Sequence, residues 1–497
     1  MPAKNVSGGA MSGSTKKNTI YNLAGSLFPV VVSLVTVPLY LHKIGVDRYG
    51  VLALVWMFLG YFGVFDLGLS RAAANQIAKT DKQEDVRAVF WTALYLNGCI
   101  GLLGGVALYF IGELVFQYVF KMPSGMRTSV ISVMPWLAFA VPLATISGVF
   151  TGTMEGRERF LSLNILQVMG TFLLQVVPLG VAYLYGPKLL WLIPAAIIVR
   201  AVSLIPLIYF TLKIVGSWRP RLLDPRWAKV LFGYGAWISI SNLIVPFFST
   251  LDKFMIGGII GAAGVSYYTV PERLARQTSV FPGALTRTLF PQLSAGEESE
   301  ARQKAERSLN VLIGVVTPVI VILMVGMHPF LDLWVGEKFA TIAAPIGTVI
   351  ATTIWLNGLA YVPSTFLQAR GRPDLTARFH LIEIIPHIVF LWFALHWFGL
   401  MGGAMALVVV TLLDTGLLFW GSRLELWSTW AFIQGVIWVL LGCALGLSFS
   451  KFAVIWYLSA SILVVGVSLW GLYIAPDIRS IAYRAYAHGR SLFGRML

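Results

Sequence analysis

The sequence predicts an all-α polytopic membrane protein with about 14 transmembrane helices. Of its 497 residues, 57% are hydrophobic and only 12% are charged, against roughly 25% charged residues in ordinary soluble domains. Long uncharged stretches recur from one end of the chain to the other, as expected of membrane-spanning helices. This composition argues against a disordered chain, a secreted disulfide scaffold and a conventional soluble enzyme.

Fourteen stretches are long and apolar enough to span a bilayer, which takes about 20 residues per helix. Their limits, accurate to a few residues, are about 18–41, 49–72, 88–119, 128–152, 160–185, 189–213, 228–260, 264–291, 308–331, 341–368, 376–397, 400–420, 430–450 and 453–475. The segments between them are too short for a soluble domain.

The distribution of Lys and Arg predicts the orientation of these spans. With residues 1–17 as a cytosolic tail, 24 of the 37 basic residues fall in cytosolic segments and 7 in the opposite loops. Basic residues concentrate on the cytoplasmic side of membrane proteins. We therefore expect both termini, including the basic tail 476–497, in the cytosol, and we read the net charge of +15 as this bias rather than as a nucleic-acid site.

Two separated stretches of the chain repeat at nearly the same offset. Phe65, Arg71 and Gln76 recur 216 positions later as Phe281, Arg287 and Gln292, and Gly156-Arg157 recurs 215 positions later as Gly371-Arg372. Each copy would contain six spans, so the copies would have the same orientation. The predicted domains are an N-lobe at 18–213, a cytosolic loop at 214–227, a C-lobe at 228–425 and two extra helices at 426–475.

Two six-helix lobes are typical of a transporter with its substrate site near the middle of the membrane. The sequence has no GxxxxGK[ST] motif, which argues against an ATP motor in this chain. Cys99 and Cys443 lie in separate apolar runs, with no metal-ligand spacing. We expect no enzyme activity, no cofactor, no metal and no nucleic-acid partner.

Short glycine-rich motifs along the chain resemble those of one family. They are Tyr21–Gly25, Pro38–Tyr40, Ile44–Gly50, Phe65–Arg71, Leu251–Lys253, Gly264–Tyr268, Leu367–Pro373 and Phe398–Ala404. Together they resemble the O-antigen and exopolysaccharide flippases of the multidrug/oligosaccharidyl-lipid/polysaccharide exporter superfamily. The resemblance covers nearly the whole chain, but such loose motifs identify the superfamily better than the substrate.

The resemblance implies a V-shaped, two-lobe transporter in the bacterial inner membrane that works by alternating access. Its substrate would be an undecaprenyl-diphosphate-linked oligosaccharide, moved from the cytosolic to the periplasmic leaflet, with ion or proton coupling as in some members. Its partners would be this polyprenyl-linked glycan, membrane lipids and, as a possibility left open, polysaccharide polymerase and chain-length proteins.

A diphosphate that crosses a membrane needs cations in a hydrated groove, and the planar Arg guanidinium binds phosphate oxygens two at a time. The eighth span is the best candidate because several basic residues share it, although Glu272 could pair with Arg276 at the i, i+4 spacing. Arg276 and Arg287, 11 residues apart, would share a face of a continuous helix. The predicted substrate-binding residues are Arg273, Arg276, Gln277, Arg287, Arg71 and Arg200.

Acidic and histidine side chains inside the spans are candidates for ion or proton coupling. Asp252 precedes Lys253, and because adjacent helical residues point about 100° apart, we expect these two to diverge unless they form a buried structural pair. His380, Glu383 and His387 should lie on one side of the eleventh span, as a polar stripe rather than a metal site. The coupling candidates are Asp66, Asp252, His380, Glu383 and Asp414.

Other functions remain open at this stage. A multidrug or cation antiporter of the same superfamily would favour an acidic, aromatic pocket, against which Arg273 and Arg276 argue. A flippase for the peptidoglycan precursor is a close variant of the first reading. A membrane polysaccharide polymerase would need a substantial extracytosolic loop with catalytic residues, and the predicted loops are short.

Overall fold

The computed structural model describes residues 13–61, 66–80, 82–295, 297–425, 430–449 and 454–475. Nearly all residues in these ranges are helical, and the ranges contain no strand. The prediction of an all-α, multi-pass membrane protein is therefore confirmed. Residues 1–12 of the predicted N-terminal tail and the whole predicted tail 476–497 lie outside the described residues.

The chain divides into two compact units between Ala263 and Gly264. The described part of the first unit contains the helices α1 (Gly13–Ile44), α2 (Val46–Tyr61), α3 (Leu69–Lys79), α4 (Gln83–Leu114), α5 (Ser124–Ser132), α6 (Met134–Gly156), α7 (Phe160–Tyr185), α8 (Leu189–Val215) and α9 (Pro225–Ile259). The predicted seventh span, α9, packs against α3 and α4 in this unit. The lobe limits 18–213 and 228–425, which describe the sequence repeat, stay a prediction.

The helices of the second unit are α10 (Ala262–Arg276), which begins at the division, α11 (Val280–Ser294), α12 (Glu298–Trp334), α13 (Glu337–Ala369), α14 (Pro373–Ser422), α15 (Trp430–Leu447) and α16 (Val454–Ile474). Helix α13 forms the centre, because α11, α12 and α14 all pack against it. The buried Trp355 on α13 donates its indole N–H to Thr317 Oγ1 on α12 at 2.9 Å. Helices α15 and α16 lie outside the repeat and pack against α12.

Nine helices in the described ranges are long and apolar enough to cross a membrane, and Phe28–Ile44 adds a shorter apolar segment. One of the nine, α14, is 50 residues long, and Gly399 (φ 58°, ψ −140°) divides it into two legs. These legs coincide with the eleventh and twelfth predicted spans. The total of 14 spans stays a prediction.

Backbone geometry supports the proposed duplication. Gly45, between α1 and α2, and Gly261, between α9 and α10, are 216 positions apart and have φ values of 82° and 116°. Glycine adopts such positive φ values without the steric cost of a Cβ atom. Each copy also divides its second predicted span into two helices, α2 and α3 in one copy and α10 and α11 in the other.

Asp224, in the predicted cytosolic loop at 214–227, caps the first turn of α9. Its Oδ1 accepts the backbone N–H of Arg226 at 3.0 Å, which satisfies one of the amide groups that the start of a helix leaves free. Its other carboxylate oxygen lies 2.8 Å from the Arg226 guanidinium. The hydrogen bond from this guanidinium lowers the pKa of the Asp224 carboxyl.

A stripe of glycines on α6 allows α3 to approach closely. Gly148, Gly152 and Gly156 are spaced by four residues and therefore lie on one face of α6. A Cβ atom added at these positions would lie 2.5, 2.5 and 2.6 Å from Ser70 Oγ, the Ser70 carbonyl oxygen and the Ala74 carbonyl oxygen. The absence of side chains on this face lets the two backbones pack together, which fixes the position of Ser70 and its neighbours.

We expect Gly152→Val to disrupt this packing, because the new side chain would meet the α3 backbone rather than a movable side chain. Overpacking of this kind lowers the free energy of unfolding by about 1–3 kcal/mol, and thermal unfolding of the purified protein in detergent would measure the change. Gly180→Val on α7 is the matched control, because a Cβ there meets no atom within 4 Å. Equal melting temperatures for the two variants would contradict this account of the contact.

Candidate functional site

Helix α10 carries an ion pair and one further cation. Glu272 is only 2% exposed, and its Oε1 accepts hydrogen bonds from Arg276 Nε at 2.7 Å and Nη2 at 2.6 Å. The pair of Glu272 with Arg276, which the i, i+4 spacing allowed, is thus present. The Arg276 side chain remains 50% exposed, so one edge of the pair reaches the surface of the unit.

Arg273 lies one position after Glu272 and is partly buried. No ion pair or hydrogen bond links its guanidinium to another described residue. Because Glu272 is already engaged by Arg276, this segment of α10 has two guanidinium groups for one carboxylate. Within α10, the excess positive charge is therefore located at Arg273.

The eighth span is not one continuous α-helix. A 3₁₀ turn at Gln277–Ser279 separates α10 from α11, and the 3₁₀ geometry of 3.0 residues per turn rotates the chain by about 60° more over three residues than α-helical geometry does. The assumption of a continuous helix, on which Arg276 and Arg287 share a face, was therefore wrong. Gln277 lies in the turn itself, and Arg287 is exposed on α11.

In the first unit, the Asp66 carboxylate accepts hydrogen bonds from the first turn of α3. The residue is 8% exposed, and its Oδ1 accepts the Ser70 hydroxyl at 2.7 Å and the Ser70 backbone N–H at 3.1 Å. The sequence indicated Asp66 as a coupling candidate but did not identify its partner Ser70, four residues later. Arg71, the next residue, is exposed, and Arg200 is partly buried in α8.

Asp252 and Lys253 on α9 pair with each other. Lys253 Nζ lies 3.1 Å from Asp252 Oδ1 and 3.2 Å from Oδ2, and both residues are buried, at 3% and 6% exposure. Although adjacent helical residues point about 100° apart, the four-carbon lysine stem is long enough to fold back onto its neighbour. The alternative of a buried pair is the one that the structure contains.

The two legs of α14 bring three titratable groups together. His380 Nδ1 lies 3.5 Å from Asp414 Oδ1 and 4.0 Å from Glu383 Oε2, and one ligand atom from each residue fits within 4.8 Å of the others. Glu383 and Asp414 are buried, at 7% and 9% exposure, as is His387 at 4%. His380 is 40% exposed on its side chain. We name His380, Glu383 and Asp414 the acid–histidine cluster.

The sequence predicted each member of the acid–histidine cluster but not its assembly. The spacing of three residues placed His380 and Glu383 on one face, whereas Asp414 follows 31 residues after Glu383 and meets them only because the chain reverses at Gly399. Two buried carboxylates beside one imidazole can bind a proton or a small cation, since adjacent like charges are costly to keep ionised together. The donor set of one nitrogen and two oxygens would also suit a metal ion, which the sequence did not predict.

Comparison with protein families and curated sequences gives a consistent result. The family model described as "Polysaccharide biosynthesis protein" matches residues 44–344. The chain is 26% identical over 409 residues to a Shigella flexneri protein provisionally named an O-antigen transporter, covering 81% of this chain and 96% of that protein. It is 24% identical over 405 residues to a Haloferax volcanii protein provisionally named a low-salt glycan biosynthesis flippase, covering 78% and 79%.

Solved structures with the same fold are membrane transporters. The lipid II flippase MurJ in an inward-closed conformation aligns with a TM-score of 0.72 over 94% of this chain and 100% of that chain, at 12% identity. An inward-facing multidrug resistance transporter of the MATE family aligns with a TM-score of 0.65 over 86% and 95%, at 14% identity. At these identities the similarity shows the fold alone.

The pairing of Asp252 with Lys253 predicts a non-additive response to mutation. We expect Lys253→Met to cost about 3–5 kcal/mol of stability, because it leaves a buried, uncompensated carboxylate. The double variant Asp252→Asn/Lys253→Met should recover most of that loss, and thermal unfolding of the single and double variants would measure the coupling. A double variant as unstable as Lys253→Met would contradict the buried pair.

Proposed function

Because the chain belongs to the polysaccharide biosynthesis protein family, we propose that it is a flippase for a lipid-linked oligosaccharide. It moves an undecaprenyl-diphosphate-linked glycan from the cytosolic to the periplasmic leaflet by alternating access. The named transport and flippase roles of its relatives support this function. Its activity is translocation of a lipid across the bilayer and not catalysis of a reaction, as the transporter and flippase names of its relatives indicate.

The substrate assignment rests on Arg273, whose guanidinium forms no ion pair with another described residue. A charge at the centre of a membrane span costs at least about 2.5–3.5 kcal/mol, so a partly buried guanidinium without a carboxylate among the described residues needs another anion or water. A diphosphate supplies that anion and matches the fork of N–H donors. Arg276, at the end of α10, and Gln277, in the 3₁₀ turn that follows, are the neighbouring residues of the proposed contact. Three further arginines on other helices remain proposed substrate contacts: Arg71 on α3, Arg200 on α8 and Arg287 on α11.

The acid–histidine cluster is the proposed site of ion or proton coupling. A group that gains and loses a cation during transport must be able to change its charge inside the protein. Two carboxylates and one imidazole within contact distance meet this requirement. Asp66 and Asp252 are further candidates, but each already has a local partner, Ser70 and Lys253 respectively.

A related substrate remains a second candidate for the same machinery. The fold is shared with the lipid II flippase MurJ, and the peptidoglycan precursor is also a polyprenyl diphosphate carrying sugars. The named roles of the sequence relatives favour a surface glycan instead. An antiporter for cationic drugs is disfavoured by the excess positive charge at Arg273.

The proposed location is the bacterial inner membrane, with both termini in the cytosol. The distribution of Lys and Arg supports this orientation. A glycan delivered to the periplasmic leaflet becomes available for polymerisation there. A polysaccharide polymerase and chain-length proteins are therefore proposed as functional partners.

We expect Arg273→Gln to slow translocation of a fluorescent undecaprenyl-diphosphate disaccharide in proteoliposomes by about tenfold or more, since a charged hydrogen bond contributes about 1.5–3 kcal/mol. Arg273→Lys should give an intermediate rate, because lysine keeps the charge but loses the planar fork. Arg378→Gln, at an exposed arginine of α14, is the control and should retain the rate. Unchanged translocation by a normally inserted Arg273→Gln protein would remove the proposed phosphate contact.

Asp414→Asn tests the coupling site separately from substrate binding. The variant keeps the size of the side chain but removes a negative charge from the acid–histidine cluster, so an imposed proton or sodium gradient should no longer accelerate translocation. Binding of a polyprenyl diphosphate to the detergent-solubilised protein should stay unchanged. Glu306→Gln on α12 is the control. If the gradient accelerates translocation by the Asp414→Asn protein as much as by the wild type, this role is ruled out.

A further inference from the structure

A second cationic site lies at the helix ends of the second unit. A cavity of about 980 Å³ opens where the start of α12, the end of α13 and both ends of α14 meet. These are the ends that the distribution of Lys and Arg places on the cytosolic side. Ligand sites in proteins range over about 300–1,000 Å³, so the cavity has room for a group much larger than one phosphate. We name it the helix-end pocket.

Four arginines line the helix-end pocket, and only two carboxylates accompany them. The cations are Arg302, Arg370, Arg372 and Arg423, and the acids are Glu298 and Glu425. The lining therefore carries a formal charge of +2, and one of its carboxylates, Glu298, pairs with Arg302 at 3.3 Å. Neither Arg273 nor Arg276 takes part in it, so this positive charge is separate from the one on α10.

Contacts with the protein hold three of these guanidinium groups in place. Arg302 donates to the carbonyl oxygen of Arg423, and Arg370 donates to the carbonyl oxygen of Glu297 at 2.7 Å. Both guanidinium carbons also lie over the Phe366 ring, at 5.8 and 6.0 Å from its centre. Arg372 pairs with Asp374 at 3.3 Å. Guanidinium groups held in this way lose little conformational entropy when an anion binds.

Arg423 is the cation that remains for a ligand. It ends α14 in a left-handed conformation, with φ 55° and ψ 27°, and its side chain is exposed. In the part of the chain that the structure describes, its guanidinium has no ion pair, whereas its carbonyl oxygen is held by Arg302. The main chain is thus fixed while the charged group stays available.

The rest of the lining is apolar and aromatic. Phe366, Leu367 and Phe419 are buried, and Trp420 is 74% exposed at the edge. Tryptophan at a membrane boundary places its ring among the lipid headgroups, and its flat face can also stack on a sugar ring. A cationic rim beside an apolar, aromatic wall matches a lipid whose charged headgroup joins a long hydrocarbon chain.

We propose that the helix-end pocket is an entry site that binds the diphosphate headgroup of the polyprenyl-linked substrate at the cytosolic leaflet, before translocation. This inference rests on the proposed flippase function and adds a second, separate contact to it. Several guanidinium donors around one cavity favour a diphosphate, with its greater charge and larger number of acceptor oxygens, over the single phosphate of an ordinary phospholipid.

Binding by the full-length protein in phosphatidylcholine nanodiscs tests the proposal. The Arg273→Gln background removes the α10 cation without an ion pair and keeps the buried pair of Glu272 with Arg276 intact, so that binding reports mainly on the helix-end pocket. The probes are an undecaprenyl diphosphate, the corresponding monophosphate and phosphatidylglycerol, each titrated and followed by native mass spectrometry. In this background, we expect the diphosphate to bind about tenfold more tightly than either monophosphate lipid and Arg423→Gln to weaken its binding by about tenfold.

Arg307→Gln is the matched control, because it removes one exposed positive charge from α12 outside the pocket. It should leave binding unchanged, and Trp420→Ala should weaken binding of a disaccharide-bearing diphosphate more than that of the bare diphosphate. Equal binding of phosphatidylglycerol and diphosphate would overturn the proposal and leave a general anchor for anionic lipid. Equal losses for Arg423→Gln and Arg307→Gln would overturn it as well.

Translocation kinetics separate failure of this site from failure of the proposed function. In an otherwise wild-type protein, Arg423→Gln should raise the substrate concentration needed for half-maximal translocation several-fold and leave the maximal rate intact, because it weakens capture but not passage. An unchanged half-maximal concentration would reject the entry site while the flippase function stands. No translocation of any polyprenyl-diphosphate glycan by the wild-type protein would reject the flippase function itself.

Discussion

The cost of placing a charge inside a membrane span governs the organisation of the titratable side chains in this protein. Water is scarce at that depth, so a charged group needs an opposite charge, a hydrogen-bonding partner or a ligand. Asp252 pairs with Lys253, Glu272 pairs with Arg276, and the acid–histidine cluster joins three groups. Arg273 departs from this pattern among the described residues of α10, and that departure makes it informative about the substrate.

Interruptions of the helices coincide with the charged groups. Asp66 precedes α3 and accepts the Ser70 amide, the 3₁₀ turn follows Arg276, and the reversal at Gly399 brings Asp414 to His380. A broken helix inside a membrane exposes backbone groups that need new partners. The Asp66 carboxylate is such a partner, because it accepts the backbone N–H of Ser70. The same breaks that cost backbone hydrogen bonds therefore determine where the polar side chains meet.

The cationic groups and the acid–histidine cluster lie at separate places in the second unit. The excess cation is on α10, the acid–histidine cluster is on the two legs of α14, and the helix-end pocket lies where α12, α13 and α14 end. This separation allows the proposed anion contacts and the proposed coupling site to be altered by different substitutions.

Hydropathy and charge in the sequence determined the membrane class and the helical fold and allowed the pairing of Glu272 with Arg276, because these depend on the order of residues over one or a few helical turns. The repeat was also visible, and Gly45 and Gly261 support it. Contacts between distant segments needed the tertiary structure. Asp414 is 34 positions from His380, and Arg302 is 121 positions from Arg423. Helical periodicity fixes which face a side chain takes, but only the packing of one helix on another fixes what that face meets.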